Sequence, residues 1–241
     1  MQNFKVRASS LGRIMSDAIR IDPELLDDEL SVISRKTKKT DEEKALLLPL
    51  FQKTLSAGAK TYCNEIAAEF VYGYSEIITG KYMEKGTLVE PDTLELYNSV
   101  YFTEYVKNTE RRSNEWLTGE CDVDTGKKII DLKSSWSLPT FPKVSEQGKD
   151  TGYEWQGRAY MMLWDRDEFE IAYGMVNTPE HLIGYEDPAL HIVDHINPAL
   201  RITVVNYKRD MELEDLIKIK VDAVNRRIND LIHQIAAEHG A

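Results

Sequence analysis

The stretch GKKIIDLKSSWS (Gly126 to Ser137) constrains the fold most, because it combines an apolar, strand-like run with two opposite charges. Alternate residues of a strand point to the same face, so Asp131 and Lys133 are predicted to lie side by side. The apolar residues Ile130 and Leu132 then point to the opposite face. The pattern predicts a central strand that presents one charged pair on an otherwise apolar surface.

The segment that precedes this strand supplies two further carboxylates. The central Thr-Gly of DTGK is typical of a tight turn, and a two-residue loop there places Asp122 opposite Ile129. The same register places Glu120 opposite Asp131. Directly opposed residues share a face, so this hairpin would gather Glu120, Asp122, Asp131 and Lys133 on one side of the sheet.

Packed carboxylates repel one another, and burying them without a partner is costly. A hard divalent cation such as Mg²⁺ or Mn²⁺ would neutralise them, and in that role it commonly serves phosphoryl chemistry. The lysine beside them could orient a water molecule or stabilise charge on a phosphate. An exposed hairpin with an ordinary Asp–Lys ion pair explains the same residues, and the hairpin alone leaves both interpretations open.

The remaining segments predict helices at both ends of the chain and strands in the middle, which indicates an α/β fold with a mixed central sheet flanked by helices. We expect one domain over 1–241, with a helical segment over about 1–80 and a long final helix over about 212–238. Ser10 and Asp41 are expected to cap the first two helices. The predicted helices are 9–19, 41–51, 56–74, 88–101, 152–164 and 212–238, and the predicted strands are 101–106, 115–124, 127–135, 169–177 and 201–207.

The net charge of −11 argues against a protein that coats nucleic acid by bulk electrostatics, but local basic clusters remain at 34–39, 107–112 and 206–210. Each cluster alone is more simply a solvated face.

No apolar run is long enough to span a membrane and no signal core begins the chain, so we expect a cytoplasmic protein. Cys63 and Cys121 are expected to be reduced, and His191 with His195 gives only a weak metal signal.

Five short motifs follow one another in a specific order. They are R-A-S-S-L-G-R-I-M (7–15), G-x-x-x-E-P (86–91), G-x-x-D (119–122), I-I-D-L-K-S (129–134) and Q-x-x-x-Y (156–160). This set resembles the PD-(D/E)xK nuclease superfamily, within it the YqaJ-type phage recombination exonucleases, and more distantly the RecB nuclease domain. One departure is that Cys121 precedes Asp122 where the namesake pattern has proline.

The resemblance implies a restriction-endonuclease-like core and a set of active-site residues. Glu90, Asp122 and Asp131 would bind one or two Mg²⁺ or Mn²⁺ ions, with the Leu132 carbonyl as a further ligand. Lys133 would be the catalytic lysine that positions the attacking water.

The resemblance also implies residues that contact the substrate. Gln156 and Tyr160 fall on a helical motif beside the active site, and Ser9, Ser10 and Arg13 fall on a segment that lines the DNA entry. The activity implied is 5′-to-3′ digestion of linear double-stranded DNA in phage-type recombination. A homotrimer, a single-strand annealing protein as partner and a phage or prophage gene in a bacterial host are implied as well.

Two other functions remain open at this point. A solitary RecB-like nuclease would keep the fold but act on single-stranded or flap DNA. A DNA-binding or assembly subunit would keep the fold without catalysis, although all four charged site residues are present.

Overall fold

The structure is a computed structural model that describes residues 2–75 and 79–240. The chain divides into two compact units. The first comprises Met1–Glu76, Ser113–Leu117 and Asp210–Ala241, and the second comprises Ile77–Arg112 and Thr118–Arg209. The single domain expected over 1–241 stays a prediction.

The first unit is mainly helical. It contains β1 (Val6–Arg7), α1 (Asp28–Arg35), α2 (Asp41–Lys53), α3 (Ala57–Tyr72), α8 (Met211–His239) and two 3-10 helices (Ala8–Arg13 and Pro23–Leu25). The short strands β2 (Arg112–Ser113) and β3 (Leu117–Gly119) lie where the chain passes from one unit to the other. Although α8 has 29 residues, no helix among the described residues is long and apolar enough to cross a membrane.

The core of the first unit forms where α3 packs against α8. Ser56 caps α3 by accepting a hydrogen bond from the backbone N–H of Ala59, and Gly73 ends the helix in the left-handed conformation with φ 65°. Cys63 is fully buried and its thiol lies 3.9 Å from the carbonyl oxygen of Val224. The apolar stripe that predicted the long final helix therefore corresponds to its packing face.

Two sequence predictions fail in the first unit. The helix expected over 9–19 is only the six-residue 3-10 helix Ala8–Arg13, and Ser10 lies inside it rather than at its start. Serine and glycine in this segment disfavour a longer α-helix. The second helix is capped by Thr40 rather than Asp41, because the Thr40 side chain and Glu43 form a capping box.

The second unit contains a mixed sheet. Its elements are α4 (Lys81–Leu88), α5 (Glu90–Tyr101), β4 (Val123–Asp124), β5 (Lys128–Ser134), α6 (Thr151–Trp164), β6 (Glu168–Gly174), α7 (Glu180–Ile183), β7 (Ile202–Lys208) and three 3-10 helices (Ser145–Gly148, Pro188–Leu190 and Pro198–Leu200). The strand order is β4-β5-β6-β7, with β5 and β6 parallel and the other pairs antiparallel. The predicted fold class, a mixed α/β sheet flanked by helices, is confirmed.

The central strand β5 separates two packing layers. Ile130 and Leu132 belong to an apolar cluster that also includes Leu96 of α5. Helix α6 connects β5 to β6 and packs on these strands. Gly157 of α6 lies so close to β6 that a Cβ atom there would fall 2.0 Å from the Phe169 ring, so this contact requires glycine.

The strand expected over 101–106 is absent. Helix α5 continues to Tyr101, and Phe102 follows with φ 55°. The Asn98 side chain then holds the loop, since its amide donates to the Tyr105 carbonyl and its oxygen accepts the Tyr105 N–H and the Thr103 hydroxyl. Local side-chain bonds of this kind replace strand pairing.

A buried lysine fixes the chain that follows β5. Lys85 of α4 is 0% exposed, and its ammonium donates to the carbonyls of Ser135, Trp136 and Val176 at 2.6, 3.0 and 3.2 Å. Burial lowers the pKa of Lys85 to about 8. The three bonds tie together the segments that leave the carboxyl ends of the parallel strands β5 and β6.

Candidate active site

The turn before β5 is centred one residue later than the sequence predicted. The Thr125 N–H donates to the Lys128 carbonyl at 3.0 Å, so the loop residues are Gly126 and Lys127, and Gly126 has φ 82°. The observed register pairs Asp124 with Ile129. Asp122 therefore does not lie opposite Ile129 as expected. The partner shifts by two positions, and a shift of two preserves the face to which each side chain points.

Asp131 and Lys133 form the predicted charged pair. The Lys133 Nζ lies 2.6 Å from Oδ2 of Asp131, whose side chain is only 2% exposed. Helix α6 packs above them, and Gln156 Nε2 donates to Asp131 Oδ1 at 3.3 Å and to the Tyr160 hydroxyl at 2.9 Å. Two of the residues predicted on this helix therefore contact the charged strand or each other.

Asp122 lies at one edge of β5, next to Leu132. Its Oδ2 accepts the backbone N–H of Leu132 at 2.7 Å. In a strand the N–H and C=O of one residue point to the same edge, so the Leu132 carbonyl faces the Asp122 side of β5. The structure thus brings together the aspartate and the carbonyl that were predicted as joint ligands.

Glu90 is the first residue of α5, and Pro91 occupies the first turn as predicted. The Glu90 carboxylate pairs with the ammonium of Lys107, and this ammonium also lies 3.9 Å from Oδ1 of Asp122. Lys107 therefore links Glu90 to Asp122.

The electrostatics show that the site is crowded with negative charge. Burial, followed by the charge of Asp131, raises the pKa of Asp122 to about 7, although the Leu132 N–H acts in the opposite direction. Burial alone would lower the pKa of Lys133, but the adjacent Asp131 outweighs it and the net shift is upward. Burial and Asp131 together raise the pKa of Tyr160, which keeps its hydroxyl protonated.

The remaining predicted residues lie elsewhere. Ser9, Ser10 and Arg13 belong to the 3-10 helix of the first unit, where Arg13 pairs with Glu65 at 2.7 Å. Glu120 is exposed and pairs with Arg111 at 3.3 Å. The hairpin therefore does not bring Glu120 into the group formed by the two aspartates and the lysine.

The two histidines are not paired with each other. His191 is buried and its ring nitrogens contact Thr178 and Glu186 at 3.1 Å each. His195 is exposed. The histidine spacing corresponds to irregular structure.

Comparison with known proteins places this chain in a family. No family model and no curated protein matches the sequence. Among solved structures, the phage related exonuclease from Haemophilus somnus 129PT is 32% identical, with a TM-score of 0.79 and coverage of 97% of each chain. The chain belongs to the phage-related exonuclease family. The predictions of a PD-(D/E)xK superfamily member and of a nuclease are confirmed.

Two further structures have the fold of this exonuclease at lower identity. The alkaline exonuclease LHK-Exo from Laribacter hongkongensis is 15% identical, with a TM-score of 0.60, and covers 98% of this chain and 93% of its own. Its complex with dAMP gives a TM-score of 0.59 at the same identity and coverage.

The donor atoms at the site of this exonuclease fit a hard divalent cation. Carboxylate and carbonyl oxygens are the ligands that Mg²⁺ and Mn²⁺ prefer. Oδ2 of Asp131 is buried and accepts no hydrogen bond of good geometry, despite its close ion pair with Lys133. Across 2–75 and 79–240, no three His, Cys, Asp or Glu side chains are already grouped closely enough to hold a metal. Instead, lysines neutralise Glu90 and Asp131.

Sequence reasoning missed two residues of the site. Lys107 lies in the basic cluster 107–112, for which the charge pattern alone indicates a solvated face. Tyr153 places its ring 4.5 Å from the Lys133 ammonium. A signal existed for Tyr153, since it precedes Gln156 by three residues and Tyr160 by seven, which puts all three on one face of a helix.

Proposed function

We propose that this exonuclease is a metal-dependent enzyme that digests linear double-stranded DNA from its 5′ ends. The observation that carries the proposal is the arrangement around β5. Three contacts support it. Asp131 pairs with Lys133 on one face, and Asp122 accepts the Leu132 N–H at the edge of the strand. Lys107 links Glu90 to Asp122. DNA contact through phosphates is compatible with a net charge of −11, because only local positive charge is needed.

The predicted ligands, the lysine and the helix α6 residues have separate roles in the proposed mechanism. Glu90, Asp122, Asp131 and the Leu132 carbonyl would hold one or two Mg²⁺ or Mn²⁺ ions, which when bound polarise the phosphate and generate the attacking hydroxide. Lys133 would donate a hydrogen bond to the water and stabilise charge on the phosphate. Gln156 would keep Asp131 in place through its amide, and Tyr160 would orient that amide in turn.

The first unit supplies the proposed DNA-entry residues. Ser9 and Arg13 are exposed and Ser10 is partly exposed. The Arg13 guanidinium is held by Glu65 and lies 5.2 Å from the Tyr62 ring centroid. The guanidinium donors that Glu65 does not use would contact a terminal phosphate.

The assembly and context are proposed on the family resemblance. We infer a homotrimer, an annealing protein as partner, and a phage or prophage gene acting in the cytoplasm of a bacterial host. Light scattering should give three times the chain mass of 27.7 kDa. A mass of one or two chains would contradict the trimer and would leave the proposed activity unchanged.

The activity is tested with DNA labelled at one end. Linear duplex carrying a 5′ or a 3′ label, closed circular duplex, flap DNA and single strands are incubated with Mg²⁺ or with EDTA. We expect early release of the 5′ label from linear duplex, late release of the 3′ label, intact circles and no cleavage in EDTA. Asp131→Asn is the inactive control.

Each other outcome has a defined meaning. Early loss of the 3′ label would reverse the polarity. Faster cleavage of single strands or flaps would favour the RecB-like alternative. No metal-dependent cleavage of any DNA would reject the enzymatic proposal and leave a DNA-binding or assembly role.

A further inference from the structure

The loop between α5 and β2 is fastened beside Asp122. The backbone N–H of Asn108 donates to the Asp122 carbonyl at 2.7 Å, and its side-chain amide donates to the Cys121 and Glu110 carbonyls at 3.0 and 2.9 Å. Three bonds from one residue fix the backbone of this loop. The neighbouring Lys107 is therefore held next to the site by its main chain.

The Lys107 side chain reaches two of the proposed metal ligands. Its ammonium hydrogen bonds to the Glu90 carboxylate and lies 3.9 Å from Oδ1 of Asp122. Its side chain is 47% exposed, whereas that of Lys133 is 22% exposed and lies against the Tyr153 ring. Lys107 is thus the more exposed of the two lysines and has a flexible stem that reaches solvent.

A cation bound by Glu90 and Asp122 would compete with Lys107 for these two carboxylates, of which Lys107 contacts one oxygen each. A carboxylate oxygen that holds an ammonium at hydrogen-bond distance leaves little room for a metal at about 2 Å, and the two positive charges repel. The lysine end of the pair is exposed, so the pair costs little to break and the ammonium is able to swing towards solvent.

We propose that Lys107 is a built-in counter-ion of the metal site, which neutralises Glu90 and Asp122 before metal binds and is displaced when it does. This inference rests on the proposed function, because it concerns the same carboxylates. Lys107 acts here as a positioning residue. It keeps other cations away from the two carboxylates and sets the affinity of the exonuclease for its metal.

The proposal is tested by calorimetric titration of the full chain with Mn²⁺ at one fixed pH, without DNA. Lys107→Met keeps the length of the side chain but removes the charge, and it should lower the Kd for Mn²⁺ by about three- to tenfold. Lys107→Arg should restore a value within about twofold of the wild type. Lys149→Met is the matched control, because Lys149 is 57% exposed and also forms an exposed ion pair, with Glu146.

The outcomes separate this inference from the proposed function. An unchanged or weaker affinity in Lys107→Met, with measurable binding to the wild type, would overturn the role of Lys107 and leave the metal site intact. An equal gain in Lys149→Met would show that only net charge matters and would also overturn it. No Mn²⁺ binding to wild type, with Glu90→Gln behaving identically, would instead reject the metal site itself.

Discussion

Replacing Lys85 with methionine should destabilise the exonuclease strongly, although the residue touches none of the proposed ligands. The side chain is 0% exposed and donates to three backbone carbonyls. A buried hydrogen bond contributes about 1 kcal/mol net, and more when its loss leaves a buried acceptor unpaired. Three such bonds give a loss of about 3 kcal/mol in the free energy of unfolding at pH 7.

The same lysine predicts a pH dependence. Its pKa is about 8 in the folded chain against the ordinary value of 10.5, so between these values the unfolded chain binds more protons than the folded chain. A depressed lysine pKa costs stability below pH 8, and that cost is relieved as the pH rises towards 10.5. Wild type should therefore gain stability relative to Lys85→Met across this window.

Urea denaturation at pH 7 and pH 9.5 measures both effects. Lys149→Met serves as the control, since removing an exposed ion pair should change stability by less than about 1 kcal/mol. A loss below about 1 kcal/mol in Lys85→Met at pH 7 would show that the three carbonyls do not depend on the lysine. A difference between the two proteins that is the same at both pH values would refute the assigned pKa.

Substitutions at three other positions test the contacts around β5. Gly157→Ala should cost about 3 kcal/mol or more in thermal or urea unfolding, because the added Cβ meets the Phe169 ring at 2.0 Å; an unchanged stability would contradict that contact. Gln156→Leu should lower the cleavage rate about tenfold or more in the folded protein, since the amide contacts a buried site carboxylate, and a wild-type rate would remove it from the site. Tyr153→Leu should slow cleavage while Tyr153→Phe does not, because only the ring contacts the Lys133 ammonium; equal rates for both variants would exclude that role.

The central strand could be predicted from sequence because its pattern depends on only one rule. Side chains alternate along a strand, so the Asp131–Lys133 pair follows from the residues alone. The exact turn did not follow, since the choice between Thr125 and Lys127 as a loop residue depends on bonds made by the Thr125 hydroxyl and backbone. The error was harmless because it shifted the register by two.

Contacts between residues that are distant in sequence could not be predicted. Asn98 and Asn108 shape the loop that brings Lys107 to Glu90. Their side-chain bonds to backbone carbonyls leave no periodic signal in the sequence. Lys85 was missed for a similar reason, since a lysine is ordinarily assigned to the surface. The short 3-10 helix at Ala8–Arg13 shows the same limit, because weak local preferences decide it.

Lys133 and its neighbouring carboxylates are proposed to hydrolyse DNA with a bound metal. The most direct measurement is single-turnover release of nucleotide from 5′-labelled linear duplex in Mg²⁺ by wild type and Lys133→Ala, with unfolding temperature and DNA affinity measured in parallel. We predict a rate at least about 1,000-fold lower for Lys133→Ala, with the fold retained and DNA affinity within about threefold. Cleavage by Lys133→Ala at the wild-type rate would exclude Lys133 from catalysis.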